Sequence, residues 1–209
     1  MKKMMFAAMM AVLASCATAQ DTKDIQLLAP NKDKGASIMK SLAQRQSHRK
    51  CADKELSTAD LSDLLWAANG INRPEDNKRT APSALNRQDI DVYVISKTGA
   101  YKYIAAENRL QLITEGDHRD AVASGQDFVN QFPVSLVLVS ELSKLGDAKN
   151  ERTRMTAAMD AGYVSQNICL FCAGNGLVTV PRATMNSTEL KKILKLGGPA
   201  SSQQSCGLS

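Results

Sequence analysis

The sequence predicts an α+β fold, in which several strands are flanked by helices without a regular βαβ alternation. Residues Met155–Gly174 form a long, mostly apolar run that is typical of a buried central helix. Residues Asp89–Ile113 contain three short segments with strand patterning, separated by turn residues. The chain has 209 residues, which is the length of one domain, and only 4% of them are aromatic. Aliphatic side chains must therefore fill most of the core.

The first nineteen residues have the pattern of an export signal. Two lysines precede the apolar run Met4–Leu13, which is too short to span a bilayer, and small residues at Ala17–Ala19 form a cleavage site. Leu13–Cys16 also resembles the bacterial lipobox, in which the cysteine becomes lipidated. We therefore expect an exported protein. It is either soluble, for example periplasmic, or a lipoprotein anchored to a membrane surface through Cys16.

The first half of the mature chain is predicted to be a short linker followed by two helices. Residues 20–35 are polar and have the composition of a linker or arm, and the domain is expected to span residues 36–196. Apolar residues at helical spacing predict a first helix over Ala36–Ala43. A second helix is predicted over Thr58–Asn69, because Ser57–Asp60 resembles a capping box.

The middle of the chain is predicted to contain the sheet. A first strand begins at Asp89, where apolar residues alternate, and it ends at Gly99. Further strands are predicted over Tyr101–Ile104, Leu110–Ile113 and Val134–Val139, and further helices over Asp120–Asn130 and Glu189–Leu196. The tail, residues 197–209, is small and polar and does not have the pattern of a core strand.

The stretch Met155–Arg182 is predicted to organise the fold. A buried helix reaches a turn at Gly174–Gly176 and continues into a buried strand over Leu177–Val180. Asp160 and two amide side chains near the middle of the helix are costly in hydrocarbon, which favours a core helix over a membrane span. Small residues would let either a core helix or another subunit approach closely: Ala157, Ala158, Ala161, Gly162 and Ser165.

Composition and motifs exclude several classes of function. The formal net charge of +5 falls to about +3 without Lys2 and Lys3, and no basic stripe is interleaved with aromatics. We therefore expect no nucleic-acid partner. The sequence contains neither the G-x-S-x-G motif of hydrolases nor the G-x-x-x-x-G-K phosphate loop nor the H-E-x-x-H zinc motif.

Cys169 and Cys172 have the C-x-x-C spacing that thiol redox sites share with half of a zinc site. They lie inside the apolar helix, whereas reactive thiols need an environment that stabilises the thiolate. A second pair of metal ligands is also missing, since His48 and His118 are the only histidines. We favour buried structural cysteines and no metal site, with a thiol redox protein as an alternative.

Three polar segments are candidates for a binding site. In an extended segment, Arg45, Ser47 and Arg49 would face one side, and two guanidinium groups and a hydroxyl suit a phosphate or the carbonyl edge of a heteroaromatic ring. A solvated basic turn is the alternative. The segment Thr80–Gln88 offers neutral hydrogen-bonding groups on a proline-stiffened loop, and the turn Pro181–Thr184 can present backbone N–H groups.

These three segments together resemble the nitroreductase family of flavin-dependent oxidoreductases. The motif R-x-S-x-R is followed about forty residues later by P-S-x-x-N-x-Q, and N-G-L-V-T-V-P follows near the C-terminus. The resemblance covers residues 36–196. It implies a central, mainly antiparallel sheet flanked by helices, in an intertwined homodimer with one FMN in each of two interface sites.

The resemblance also implies which positions contact FMN. The phosphate, ribityl chain and pyrimidine edge would be held by Arg45, Ser47 and Arg49, with Gln46 adjacent. The positions that approach the flavin, often from the partner subunit, would be Pro82, Ser83, Ala84 and Asn86. The positions near the flavin N5 would be Pro181, Arg182 and Ala183. In the family, a segment after the last helix also packs on the partner subunit, and the polar tail departs from that pattern.

The implied activity is transfer of hydride or electrons from a donor such as NAD(P)H to a nitroaromatic, a quinone or a similar acceptor. This chemistry belongs mostly to the cofactor and needs no acid–base side chain, so no catalytic residue is assigned. The alternative from another class is a non-catalytic flavin-binding or flavin-scavenging module on the cell surface.

Overall fold

The computed structural model describes residues 23–197 and 207–208. The predicted export signal, residues 1–19 with Cys16, lies outside the described residues, as do residues 198–206 of the tail. The α-helices are α1 Ile38–Gln44, α2 Thr58–Asn69, α3 Arg119–Ala123, α4 Glu151–Gly174 and α5 Ser187–Ile193. The strands are β1 Ile25–Gln26, β2 Ile71–Arg73, β3 Lys78–Arg79, β4 Ile90–Ser96, β5 Gly99–Ile104, β6 Arg109–Glu115, β7 Val134–Ser140, β8 Pro181–Arg182 and β9 Gly207–Leu208.

The main sheet confirms the predicted α+β class. Its strand order is β1-β6-β5-β4-β7-β9-β8, and each neighbouring pair is antiparallel. Strands β4, β5 and β6 form the predicted meander, because short turns connect segments that alternate apolar residues. β4 also pairs with β7 along its whole length, from Ile90 opposite Ser140 to Ser96 opposite Val134. The strands β2 and β3 form a separate hairpin.

Helices cover both faces of this sheet. Alternate residues of a strand point to opposite faces, so β4 and β7 contribute to two separate cores. On one face, Val92 and Val94 belong to the core that includes α2 and α4. On the other face, Tyr93 and Ile95 belong to the core that includes α3 and α5. This two-sided burial explains why the strands are nearly continuous apolar runs.

The helix α4 is the central element that the sequence predicts. The side chain of Asn150 accepts a hydrogen bond from the backbone N–H of Arg152, and the helix then runs for 24 residues. It contacts α1, α2, β4 and β7. Among the described residues, no helix has both the length and the apolar character that crossing a membrane requires.

Two local predictions are wrong. The run Leu177–Val180 forms no strand, and the strand β8 begins only at Pro181. The carbonyl of Thr179 instead accepts a hydrogen bond from the backbone N–H of His48. The helix predicted over Asp120–Asn130 ends at Ala123, because Ser124 has a φ of 47° and Gly125 has a φ of 80°. A 3₁₀ turn over Asp127–Gln131 follows.

The two ends of the chain contribute more to the sheet than their composition predicts. Within the expected linker, Ile25–Gln26 pair with β6, and Leu27 is only 4% exposed. At the other end, Gly207–Leu208 lie between β7 and β8. Two residues are too few to show a strand pattern in a sequence, so this pairing could not be predicted from the polar tail.

Candidate functional site

The first candidate segment, Arg45–Arg49, and the third, Pro181–Thr184, meet near the C-terminal end of α4. The backbone N–H of His48 donates to the carbonyl of Thr179 at 3.0 Å, so Arg45–Arg49 runs beside the chain that leads into Pro181–Ala183. Helix α1 positions the first segment, because Ala36 N donates to Gly174 O at 2.8 Å. A Cβ at Gly174 would lie 2.5 Å from the Ser41 hydroxyl oxygen, so any larger residue there would force that hydroxyl to move.

The polar side chains of the first segment are free to bind a ligand. The chain leaves helical geometry at Arg45, whose φ and ψ are −58° and 119°. Arg45 is half-buried, and Ser47 and Arg49 are exposed. Within the described residues, none of these three side chains forms a hydrogen bond or an ion pair. Two guanidinium groups without a carboxylate partner are chemically suited to a phosphate, which accepts such forked donors.

Arg182 has a different role from its neighbours in the third segment. Its side chain is 8% exposed, and its two terminal nitrogens donate to the carbonyls of Val122 and Ala123, at 3.1 Å each. Its Nε donates to the side chain of Gln126 at 3.1 Å. Burial lowers the pKa of this guanidinium. The side chain therefore caps the C-terminal end of α3. The backbone N–H groups of Arg182 and Ala183 remain the candidate donors of this turn, since Pro181 has none.

The second candidate segment lies on the middle of α4. The backbone N–H of Ala84 donates to Asp160 Oδ2 at 2.9 Å, and the Ser83 hydroxyl accepts from the backbone N–H of Gln88 at 2.9 Å. Pro82 and Asn86 are exposed. Asp160 and Gly174 are separated along α4 by roughly 21 Å, at about 1.5 Å per residue. Within one chain, the structure therefore does not bring the second segment together with the other two.

One side of α4 carries exposed apolar residues. Met155, Met159 and Tyr163 follow each other at intervals of one helical turn and are 56%, 54% and 42% exposed. The small residues Ala157 and Ala161 are only 2% and 5% exposed and pack in the core. The small-residue positions therefore serve the core in part, while larger apolar side chains form the exposed stripe, which is typical of an interface with another chain.

The cysteines of the C-x-x-C motif are buried, as predicted. Cys169 and Cys172 are 3% and 4% exposed. Burial raises the pKa of Cys172 to about 12, with Cys169 adding to the effect. A thiol with this pKa carries almost no thiolate near neutral pH, so the geometry does not favour a redox-active pair. Cys51, Cys172 and Thr179 line a cavity of about 270 Å³. The other walls of this cavity are mainly apolar.

A buried carboxyl pair was missed from the sequence. Asp89, which precedes β4, is fully buried, and Asp160 is 3% exposed. The Asp89 carboxyl accepts a hydrogen bond from the Ser140 hydroxyl at 2.6 Å. Burial, followed by the neighbouring Asp89, raises the pKa of Asp160 to about 6. The available signal was Asp160 itself, an acidic residue in an apolar helix, but its partner is 71 positions away.

An antiparallel sheet flanked by helices, with unpaired phosphate-type donors beside a main-chain turn, agrees with the resemblance to flavin-dependent oxidoreductases that the sequence motifs indicate. The chain belongs to the nitroreductase family, whose family model matches residues 42–207. This match confirms the resemblance that the three sequence motifs indicate. Among curated proteins, no sequence matches the chain significantly.

Solved structures show the same fold. A protein from Ralstonia eutropha JMP134 that is assigned as a nitroreductase is 32% identical, with a TM-score of 0.80 and coverage of 89% of this chain and 87% of that chain. An assigned nitroreductase from Anabaena variabilis is 17% identical, with a TM-score of 0.72 over 90% of this chain and 41% of that chain. An assigned nitroreductase from Desulfovibrio desulfuricans, solved in complex with FMN, is 18% identical, with a TM-score of 0.58 over 84% of this chain and 86% of that chain.

Proposed function

We propose that the protein is an FMN-dependent oxidoreductase of the nitroreductase type. It transfers hydride or electrons from a reduced donor such as NAD(P)H to a nitroaromatic, a quinone or a similar acceptor. The observation that carries this proposal is the hydrogen bond from His48 to Thr179, which places unpaired donors beside a main-chain turn. The FMN complex of the structurally similar Desulfovibrio protein supports the choice of cofactor.

The residues present fit FMN by their chemistry. Arg45 and Arg49 would neutralise the phosphate, and Ser47 would donate a hydroxyl hydrogen bond next to them. Next to Pro181, which has no N–H of its own, the backbone N–H groups of Arg182 and Ala183 would hold the reactive edge of the ring and stabilise negative charge without any titrating side chain. FMN held by these residues would supply hydride or electron transfer between a donor and an acceptor. The protein binds and orients this group and shields it from water.

A homodimer would complete the site. The second segment is anchored roughly 21 Å along α4 from the other two, so it cannot reach a ligand that they hold in the same chain. A partner subunit could supply Pro82, Ser83, Ala84 and Asn86 if the two copies of α4 run past each other. The exposed stripe of Met155, Met159 and Tyr163 would be the seam of this dimer.

We further propose that the protein works outside the cytoplasm, because residues 1–19 have the pattern of an export signal. Cell fractionation tests this proposal. A soluble periplasmic protein and a lipoprotein anchored through Cys16 are distinguished by Cys16→Ala, which would release only the lipoprotein from the membrane fraction. Retention of the protein in the cytoplasmic fraction would contradict export in either form.

The proposed activity is tested on the purified mature chain. We expect the visible absorption spectrum of a flavin, with released FMN close to one molecule per chain. Anaerobic addition of NADH or NADPH should bleach the flavin band, and a quinone or nitroaromatic should restore it. Bound FMN that no donor reduces would favour the flavin-binding module instead. A colourless protein that fails to take up added FMN would contradict the proposed function.

A further inference from the structure

A polar cavity of about 360 Å³ lies beside the hairpin of β2 and β3, where β4 begins. The end of α2, the hairpin, the loop before β4, the strands β4 and β5 and the turn after β7 all contribute to its walls. None of its lining residues belongs to Arg45–Arg49 or Pro181–Ala183, so within one chain this cavity is separate from the candidate phosphate site. Four of the lining side chains carry amides, and these are Asn69, Asn77, Asn86 and Gln88.

Three cations, Arg79, Arg87 and Lys144, also line this cavity. Arg79 is oriented by its neighbours, since its Nε donates to the Gln88 side chain at 3.0 Å and its Nη1 donates to the Asn69 carbonyl at 3.3 Å. Lys144 Nζ donates to the Gln88 carbonyl at 3.0 Å. Within the described residues, Arg79 Nη2 and the whole guanidinium of Arg87 form no hydrogen bond. Each of the three cations therefore retains donors for a ligand.

The positive charge of the cavity is not compensated by its own walls. Asp91 is the only acidic residue among those that line it, and Asp91 Oδ2 already accepts from Lys102 Nζ at 2.6 Å. Among the described residues, none of the three cations forms an ion pair. Arg79 is half-buried, and burial lowers the pKa of its guanidinium. A partly buried charge of this kind costs free energy unless an anion compensates it.

A buried hydroxyl on the wall of the cavity also lacks a partner. Tyr103 is only 7% exposed, and its hydroxyl forms no hydrogen bond in the part of the chain that the structure describes. Buried hydroxyls in folded proteins nearly always have a partner. Burial raises the pKa of Tyr103 to about 12, so the hydroxyl keeps its proton at neutral pH and can donate it. Water could satisfy this hydroxyl, but it could not compensate the charge of the three cations.

We propose that this cavity binds a phosphate group, either as the free ion or as a monoester. Arg79 would act as the forked donor, Arg87 and Lys144 would supply further positive charge, and the Tyr103 hydroxyl would donate one more hydrogen bond. A cavity of about 360 Å³ has room for this group together with a small polar organic part, which the four amides suit. The proposal does not depend on the proposed function, because none of these four side chains is a candidate FMN contact.

Isothermal titration calorimetry on the mature, FMN-loaded chain in a phosphate-free buffer tests the proposal. The probes are inorganic phosphate and ribose 5-phosphate, which carry the same kind of dianion. We expect one binding site per chain. Tighter binding of the ester would support the site and identify its ligand as an organic phosphate, whereas equal binding would support it as a site for the free ion. No binding of either probe at about 10 mM would overturn the proposal.

Two substitutions test the arginines. Arg79→Gln and Arg87→Gln should each weaken phosphate binding by about ten- to a hundredfold, because each removes a charge-assisted hydrogen bond. Arg79 also contacts the main chain, so circular dichroism should confirm that its variant is folded. Arg87 is exposed, and its side chain has no contact among the described residues that the fold could lose. Unchanged phosphate affinity in a folded Arg87→Gln variant would overturn its assignment.

A third substitution and a control separate a built site from general surface charge. Tyr103→Phe removes one neutral hydrogen bond and should weaken binding by about two- to tenfold. Lys78→Gln is the matched control, because Lys78 precedes Arg79 in β3 but pairs with Asp76 at 3.1 Å and does not line the cavity. It should change the affinity by less than about twofold. Equal weakening by Lys78→Gln and Arg87→Gln would overturn the proposal.

FMN occupancy during the titration separates this cavity from the flavin site. Phosphate should bind without changing the visible spectrum of the flavin, and Arg45→Ala should lower FMN affinity without lowering phosphate affinity. Release of FMN in proportion to phosphate binding would overturn the proposal, since the cavity would then be part of the flavin site. If the chain takes up no FMN, the proposed function fails. The same titration on Arg45→Ala, in which the candidate FMN phosphate site is impaired, then still tests the cavity.

Discussion

Replacing Arg182 with methionine should destabilise the fold, because its guanidinium joins β8 to the end of α3. The side chain is 8% exposed and makes three hydrogen bonds of 3.1 Å, two of them to the carbonyls of Val122 and Ala123. Methionine fills a similar volume but leaves the Val122 carbonyl without a donor, whereas the Ala123 carbonyl still accepts from the backbone N–H of Gln126 at 3.0 Å. One unsatisfied buried carbonyl costs about 1–3 kcal/mol, and the other two hydrogen bonds of the guanidinium are lost as well, so the free energy of unfolding should fall by about 2–4 kcal/mol.

Equilibrium unfolding in urea measures this effect on the protein freed of cofactor. With an m-value of about 2 kcal/mol/M, the midpoint should fall by about 1–2 M. Lys192→Met on α5 is a matched control, since it also removes one positive charge but changes the midpoint little. A loss below about 1 kcal/mol together with a large loss of FMN affinity would refute the reasoning. It would mean that the Arg182 side chain contacts the ligand.

Four further predictions concern the site and its support. Arg45→Ala should weaken FMN binding about ten- to a hundredfold in a fluorescence titration, because a charge-assisted hydrogen bond is worth about 1.5–3 kcal/mol. The control variant Lys191→Ala on α5 should leave the affinity unchanged. Met159→Glu should shift the protein towards the monomer in analytical ultracentrifugation and lower its FMN content, whereas an unchanged dimer would place the interface elsewhere. Burial raises the pKa of Asp160 from 3.8 in the unfolded chain to about 6 in the folded one, so this residue should stabilise the fold by about 3 kcal/mol more below pH 3.8 than above pH 6. In urea titrations, the free energy of unfolding of Asp160→Asn should therefore depend less on pH than that of the wild type. Cys172→Ala should leave the reduction of FMN by a donor intact. If the variant lost this reduction, the result would support the alternative of a thiol redox protein.

The elements that sequence reasoning located correctly are those with local signals at both ends. The helix α2 spans the predicted Thr58–Asn69, because Ser57 caps its first turn by accepting from the backbone N–H of Asp60 at 3.0 Å, and Gly70 follows its last residue. The meander of β4, β5 and β6 is also local, since each strand pairs with its neighbour in the chain. Neither prediction needed knowledge of distant contacts.

The strands that sequence reasoning misplaced depend on which segment of the chain lies beside them to form a ladder. The β-branched run Leu177–Val180 has the composition of a strand, but the segment around His48 occupies the side of Thr179 where a ladder partner would pair. Strand β8 instead pairs with Gly207–Leu208, almost at the end of the chain. Composition shows that a residue fits a strand, whereas the position of a neighbouring segment decides whether a strand forms.

The same distinction holds within the candidate site. The sequence identified Arg45 as a forked donor and Arg182 as part of a turn with backbone donors, and it could not show which groups the two side chains face. In the structure, the side chain of Arg45 has no hydrogen-bond partner among the described residues, while the donors of the Arg182 side chain are directed at the end of α3. An arginine whose donors are already used stabilises the fold, and one whose donors are unused can bind an anion. For this reason, Arg45→Ala should mainly change FMN affinity and Arg182→Met mainly the free energy of unfolding, and measuring both quantities for both variants tests the site and the fold independently.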